Sequence, residues 1–407
     1  MKRTDAGRWG ILATAGLIAG LGGYAGALGA LPVAMVVAIG WGLANSRLDG
    51  SRLQAFVVMA VYYLAAGRGL FHGGGVFFAG EDESWAKSLG WGAFVWIAPA
   101  LTLAATWAVC WGQEWLFGRT LLAFVAVSVP PVGWIGWASP LAGAGVLFPQ
   151  MGWAGLGLAV LLFGLLSLGA RAVSEGNWSC IRNCIVVGVL AHTGVAMWMW
   201  LLPIRPQVKP DAWVAINTHL GRSDGYATVI ALENAAFNAL DDGARVVILP
   251  EAVGGSWDLN QWQWRMYQDQ LVHQRATVLV GAERSIDRRR VVNGLFSVGV
   301  GNGAELPERV PVPLGMWRPW SSTRHVVSDW TGSGVGEVQG RRVGYLICYE
   351  QLLVLPVLVS LAHHPDVLVG AANLWWAKGT SIGSIQRSTL VAWGRLFGVP
   401  VLSATNA

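Results

Sequence analysis

RRVGYLICYEQLLVLPVLVSLA (residues 341–362) runs from a near-continuous apolar stretch through a single cysteine into a second apolar stretch of helical length. A strand, a turn carrying Cys348, Tyr349 and Glu350, and then a helix is the repeating unit of an α/β sheet, whose ligands collect where strands end. Taken alone, Cys348 is either a nucleophile at such an end or a small hydrophobe that closes a buried strand.

The same rhythm extends in both directions from residue 213 to the last residue. Strands are expected over 213–218, 245–250, 276–283, 293–300, 342–348, 366–373 and 399–406, and helices over 225–240, 258–274, 350–363 and 381–397. Near-continuous apolar strands between helices imply a sheet covered on both faces. Glu251, Glu283, Cys348 and Asn373 all fall at strand ends, the pattern of an enzyme-like cleft. A carboxylate just past a buried strand suits a general base, and a thiol at a helix start suits an acyl-accepting nucleophile. The structural alternatives are a capping Glu and a packed Cys.

Upstream the composition changes. Of 407 residues 54% are hydrophobic and only 13% charged, with 24 Trp and 54 Gly, where an ordinary soluble domain carries about 25% charged residues. Residues 1–210 hold 12 Lys and Arg against 7 Asp and Glu, and the remainder 16 against 16, so the net charge of +5 sits in the first half. Apolar segments near 9–26, 28–44, 53–71, 90–111, 119–138, 152–170 and 183–203 are each compatible with a bilayer span, seven in all. With a cytoplasmic N-terminus, Lys2, Arg3, Arg8, Arg47, Arg52, Arg119, Arg171 and Arg182 lie inside. Arg68, Lys87 and the acidic run 81–83 lie outside, which satisfies the positive-inside rule. Seven crossings then put the second half outside the cytoplasm, in the periplasm of a bacterial inner membrane. The expected layout is a membrane domain at 1–204, a Pro-rich linker at 205–212 and a globular domain at 213–407.

Other classes receive little support. The nearest approach to a basic cluster, Arg288–Arg290, is short and follows Asp287, so it reads as a solvated turn and no nucleic-acid partner is expected. No cofactor or metal is expected, since no Cys-x-x-Cys pairs with His at zinc-ligand spacing. His325, His363 and His364 have no carboxylate partner in sequence. No charged residue stands in the middle of an expected span, which argues against a transporter.

The segments LPEA (249–252), GAER (281–284), VPLGMW (312–317), GYLICYE (344–350), AANLWWAKGTSIGSIQ (371–386) and the final TNA, in that order, resemble the nitrilase (carbon–nitrogen hydrolase) superfamily. With the membrane half, including 134–157, the whole chain is similar to apolipoprotein N-acyltransferase, and more closely to its plasmid-encoded conjugal-transfer relatives. The resemblance implies a multi-pass helical membrane domain followed by an α/β nitrilase-like domain, an αββα sandwich. It implies Glu251 as base, Cys348 as nucleophile forming a thioester, Glu350 as a supporting carboxylate, and Tyr349, Asn373, Trp375 and Trp376 at the substrate site. It further implies an amphipathic acyl or amide substrate and contact with the bilayer, a lipoprotein, a phospholipid or a mating-pair protein.

Two departures stand out. The lysine that stabilises the family's tetrahedral intermediate is replaced by Glu308, beside Arg309, and no lysine lies between Glu251 and Cys348. Either Arg309 (or Arg318) supplies the cation, or the site is a degenerate one kept for binding, or the mechanism is altered. The acyltransferase also continues past the position of Ala407 with further strands and a last membrane helix, so a C-terminally shortened domain is expected. The aromatic loop 316–330 is a candidate membrane-facing lid.

Overall fold

The computed structural model describes residues 3–79, 84–201, 207–222 and 226–407. Lys2, the acidic run at 81–83 and residues 205 and 206 of the linker lie outside them. The chain divides into two compact units, Met1–Pro206 with Thr380–Gly398, and Gln207–Gly379 with Val399–Ala407.

The first unit is helical. Its helices are α1 (Arg3–Gly23), α2 (Val37–Ala44), α3 (Arg52–Ala66), α4 (Gly69–Ala79), α5 (Trp85–Cys110), α6 (Leu116–Ser128), the short α7 (Ala144–Leu147), α8 (Gly152–Glu175) and α9 (Trp178–Leu201). The apolar segments expected from sequence are helical but unequal. The second begins as a 3-10 helix, Leu28–Val36, around Pro32, which has no N–H to give an α-helical ladder. The third is the pair α3 and α4, bent by 64° at their junction. By length and apolarity α5, α8 and α9 can each cross a bilayer, and a fourth crossing results if α3 and α4 form one span. Helix α9 buries none of its residues, so its Ile, Val, Leu, Met and Trp side chains present apolar surface that water disfavours. These helices associate the protein with a membrane.

Inside the unit, α1 meets α3 through Gly16 and Gly20, where a Cβ would collide with the backbone of Val58 and Tyr62. Trp41, Trp107, Phe124 and Phe163 form an aromatic core. Each buried indole finds a partner, Trp41 Nε1 donating to Thr120 Oγ1 at 2.9 Å and Trp107 Nε1 to Tyr63 Oη at 3.1 Å.

The second unit carries two sheets. In the first, β1 (Trp213–Ala215), β2 (Val246–Ile248), β3 (Thr277–Ser285), β4 (Arg290–Gly299) and β5 (Glu305–Pro307) lie side by side in that order, and β6 (His325–Val326) pairs with β4. The first three are parallel, while β4 and β5 turn back antiparallel. The second sheet runs β10 (Val401–Asn406), β9 (Val367–Asn373), β8 (Arg341–Ile347) and β7 (Val335–Val338), parallel except for β7.

Side-chain alternation builds the layers. Val343, Tyr345 and Ile347 of β8 and Val367, Val369 and Ala371 of β9 share one core with Val246 and Ile248 of β2 and Leu279 of β3, so the two sheets pack face to face. The opposite face of the first sheet, with Val247, Val278, Val280, Phe296 and Val298, is covered by α10 (Tyr226–Asp241), α11 (Trp257–Arg265) and α12 (Gln268–His273). Helix α13 (Val354–Ala362) packs on β8 from the other side. The result is an α/β domain of two sheets packed face to face, with helices over their outer faces. All seven expected strands are present, and β5, β6 and β7 are additional.

Helix α14 (Ile382–Phe397) lies between β9 and β10 in sequence but groups with the first unit. There it packs on α7 and α8, and Ser388 Oγ donates to Gly26 O at 2.9 Å.

Candidate active site

Glu251 and Cys348 come from different sheets. Glu251 follows β2 through Leu249 and Pro250, and Cys348 opens the 3-10 turn Cys348–Leu352 directly after β8. Gly281 of β3 leaves room for this approach, because a Cβ there would overlap the Pro250 carbonyl and crowd the Glu251 backbone. Cys348 is buried in the shared core and takes φ +46°, a left-handed conformation rare for a residue with a side chain. Such strain persists only where the surroundings enforce it, and it concentrates at functional sites.

The Cys348 thiol donates to the Glu251 carboxylate, and the Tyr349 N–H donates to Cys348 Sγ. Burial pushes the thiol well above its ordinary range, and the charges of Glu251 and Glu308 push it the same way. The resting thiol is therefore protonated.

Glu251, 3% exposed, accepts from Asn293 Nδ2 at Oε1 (2.8 Å) and from the Asn373 N–H at Oε2 (3.0 Å). Burial raises its pKa to about 7, against the pull of the hydrogen bonds from Cys348, Asn293 and Asn373. A carboxylate tuned to neutrality next to a thiol is a matched general base.

Glu308, 2% exposed, accepts from the same Asn293 Nδ2 at Oε2 (2.9 Å), while its Oε1 is buried with no hydrogen-bond partner among the described residues. Burial, then the charges of Glu251 and Glu350, hold its pKa well above the carboxylate range.

Glu350 is fully buried and organises the backbone. Its Oε1 accepts from the N–H groups of Arg309 (2.9 Å) and Val310 (3.1 Å), and its Oε2 from that of Ile347 (2.8 Å). It thus ties the Cys348 turn to the 308–310 segment. Arg309 Nε stands 3.3 Å from Glu350 Oε1. Its Nη2 donates to Ser360 Oγ (2.9 Å) and Pro356 O (3.1 Å), and its Nη1 to Gly332 O (3.3 Å). These partners hold the guanidinium against Glu350 and α13; neither Cys348 nor Glu251 is among them. Arg318 donates to the Arg324 carbonyl within the 316–330 segment.

The remaining expected residues line up at the ends of the second sheet. Tyr349 follows Cys348 in the 3-10 turn. Asn373 ends β9, and its Oδ1 accepts from Asn406 Nδ2 at 2.8 Å. Asn406, in the final TNA, also joins Thr218, Leu220 and Gly221, which fixes the end of β10. Trp375 and Trp376 form a short 3-10 turn, in which Trp376 Nε1 donates to Asn373 O and Arg222 stacks over Trp375 at 5.3 Å.

Sequence reasoning missed Asn293. The available signal was a polar residue inside the apolar run of β4, where a fully buried amide needs partners. Arg289 and Arg290 form the expected solvated turn, both backbone N–H groups capping Asp287. In the 316–330 loop, Trp317 meets Trp320 and Trp330 edge to face, and Trp320 is 66% exposed.

Fold and site together describe a membrane-associated protein whose α/β domain sets a cysteine against a carboxylate. No family model matches the chain. The chain is 33% identical over 415 residues to a probable conjugal transfer protein TraB of Sinorhizobium fredii, covering 97% of each. It is 33% identical over 440 residues to the conjugal transfer protein TraB of Agrobacterium fabrum, covering 100% of this chain and 95% of that one. The chain belongs to the TraB family of conjugal transfer proteins. Among solved structures it is similar to a nitrilase-superfamily amidase from Nesterenkonia, at 14% identity over 48% of this chain and 75% of that one (TM-score 0.37). It is also similar to a carbon–nitrogen hydrolase from Helicobacter pylori, at 12% identity over 48% and 72% (TM-score 0.35).

Proposed function

We propose that the α/β domain transfers or hydrolyses an acyl group through a Cys348 thioester, with Glu251 as general base, in the service of conjugal plasmid transfer. The observation that carries this reading is the strained Cys348 at φ +46°, its thiol hydrogen-bonded to a buried carboxylate whose pKa is about 7. As Sγ attacks the acyl carbon, the thiol proton passes to Glu251. The tetrahedral adduct collapses, the bond to the leaving nitrogen or oxygen breaks, and Glu251 returns the proton to it. Water or an acceptor amine then attacks the thioester, Glu251 takes the incoming proton, and Cys348 leaves and is reprotonated. Glu350, joined to Arg309, positions the Cys348 turn, and Tyr349, Asn373, Trp375 and Trp376 border the substrate.

The substrate is amphipathic and is reached from the bilayer, with the exposed Trp320 on a membrane-facing lid. The charge asymmetry of the loops supports a cytoplasmic N-terminus, from which an odd number of crossings places the α/β domain in the periplasm of the inner membrane. A second reading, a degenerate site that binds a mating-pair partner or lipoprotein, is favoured by one observation: Glu308, a carboxylate, acts on the thiol where a cation would aid it.

Conjugation frequency with full-length variants separates the two. The enzyme reading expects Cys348→Ala to abolish transfer with membrane insertion and level unchanged. Normal transfer by Cys348→Ala, together with loss on replacing the 316–330 loop, would establish the binding reading.

A further inference from the structure

Asn293 Nδ2 is an uncharged donor shared by two buried carboxylates. Among the described residues no Lys or Arg pairs with either one, since Arg309 is turned to Glu350 and Arg324 pairs with Glu283 at 3.1 Å. Two carboxylates on one neutral amide in a water-poor site cannot both ionise, so one keeps a proton. The hydrogen bonds decide which. Glu251 receives three, from Cys348, Asn293 and Asn373, all favouring its ionised form. Glu308 receives one, and its Oε1 is buried and unpartnered. An ionised oxygen left bare costs more than a hydroxyl awaiting an acceptor. The other charged groups acting on Glu308 point the same way, with Glu350 and Glu283 both opposing a second negative charge.

We propose that Glu308 is a carboxylic acid whose Oε1 hydroxyl donates to the carbonyl oxygen of the acyl substrate, stabilising the oxyanion that forms when Cys348 adds. This rests on the reading of Cys348 as nucleophile. It also assigns the substrate class. A carbonyl set near the negative charges of Glu251, Glu283 and Glu350 belongs to an amide or ester that is uncharged next to the reacting carbon, since an anion there would be repelled. The developing negative charge meets a neutral donor, which loses its function once it ionises, so acylation falls at alkaline pH as Glu308 gives up its proton.

The test uses the full chain in detergent with Cys110, Cys180 and Cys184 replaced by Ser, and two probes of Cys348. Para-nitrophenyl acetate acylates through an oxyanion, the S–C bond forming first and nitrophenolate leaving when the tetrahedral adduct collapses. Iodoacetamide alkylates by displacing iodide, with no oxyanion. Glu308→Leu is expected to slow acylation by about 10²–10³-fold while alkylation holds or rises. Glu308→Gln, which keeps a neutral N–H donor, is expected to restore acylation to within about tenfold of the parent and to remove the alkaline fall. A protonated-carboxyl infrared band at neutral pH, lost in Glu308→Gln, is expected whatever the turnover. Equal acylation of parent and Glu308→Leu, equal loss of both reactions, or absence of the infrared band overturns the proposal. A parent Cys348 inert to both probes overturns the nucleophile reading instead.

Discussion

The Glu251 and Glu308 carboxylates meet on one nitrogen, Asn293 Nδ2, at 2.8 and 2.9 Å. Asn293 is fully buried, so removing its amide takes a hydrogen bond from both carboxylates inside the protein. Asn293→Ala is expected to destabilise the α/β unit by about 1–3 kcal/mol, the usual penalty for stranding buried polar groups. Thermal unfolding of the full chain in detergent reads this out, and an unchanged midpoint would contradict the shared-amide arrangement. Asn293→Asp adds a third buried carboxylate and should cost more, increasingly so as pH rises.

Cys348 pays for its position in backbone strain, at φ +46°. Glycine takes that conformation freely, whereas alanine does not. Cys348→Gly is therefore expected to unfold at a temperature at or above that of Cys348→Ala, a difference on the order of 1 kcal/mol. Both variants should lack thioester chemistry. A Gly variant clearly less stable than the Ala variant would mean the turn is relaxed.

Stability should follow the buried carboxylates. The pKa values of Glu251, Glu308 and Glu350 are all raised, chiefly by burial, above an ordinary 4.5. In the unfolded chain they ionise near 4.5, while in the folded chain they hold their protons longer. Their contribution is thus fully present below that value and is lost as pH rises through the folded values, about 7 for Glu251. The midpoint advantage of Glu308→Gln over wild type is expected to grow as pH rises above about 5. A difference that stays constant with pH would show that Glu308 does not titrate abnormally.

Gly281 is a spacer for the base. Its Cβ would overlap the Pro250 carbonyl and crowd the Glu251 Cα at 2.8 Å. Gly281→Ala is expected to shift Glu251 off Cys348 and slow Cys348 chemistry at least tenfold, since small displacements of a catalytic group are costly. The pH profile of thiol alkylation checks it, and an unchanged profile would place the base elsewhere.

The α/β layering was legible because its strands are apolar on both faces and regularly spaced, and Glu251, Cys348 and Asn373 stood out as polar residues at their ends. The short β5, β6 and β7 were not, because two to four residues carry no period. Asn293 escaped notice since its meaning depends on β4 running antiparallel to β3, a pairing that sequence spacing does not display. Arg309 illustrates the same limit: adjacency to Glu308 says nothing of direction, which Glu350 and Ser360 decide. Helix α14 read as part of the sheet's cover, yet it groups with the membrane helices, a choice made by tertiary packing on α7 and α8.

The most direct test is the pH dependence of Cys348 alkylation in the full chain lacking Cys110, Cys180 and Cys184. If Glu251 takes the thiol proton, the rate rises around pH 7, where that carboxylate ionises, and Glu251→Gln abolishes the rise. A rate that climbs only above about pH 8.5, as for an unassisted thiol, and is indifferent to Glu251→Gln would contradict the account.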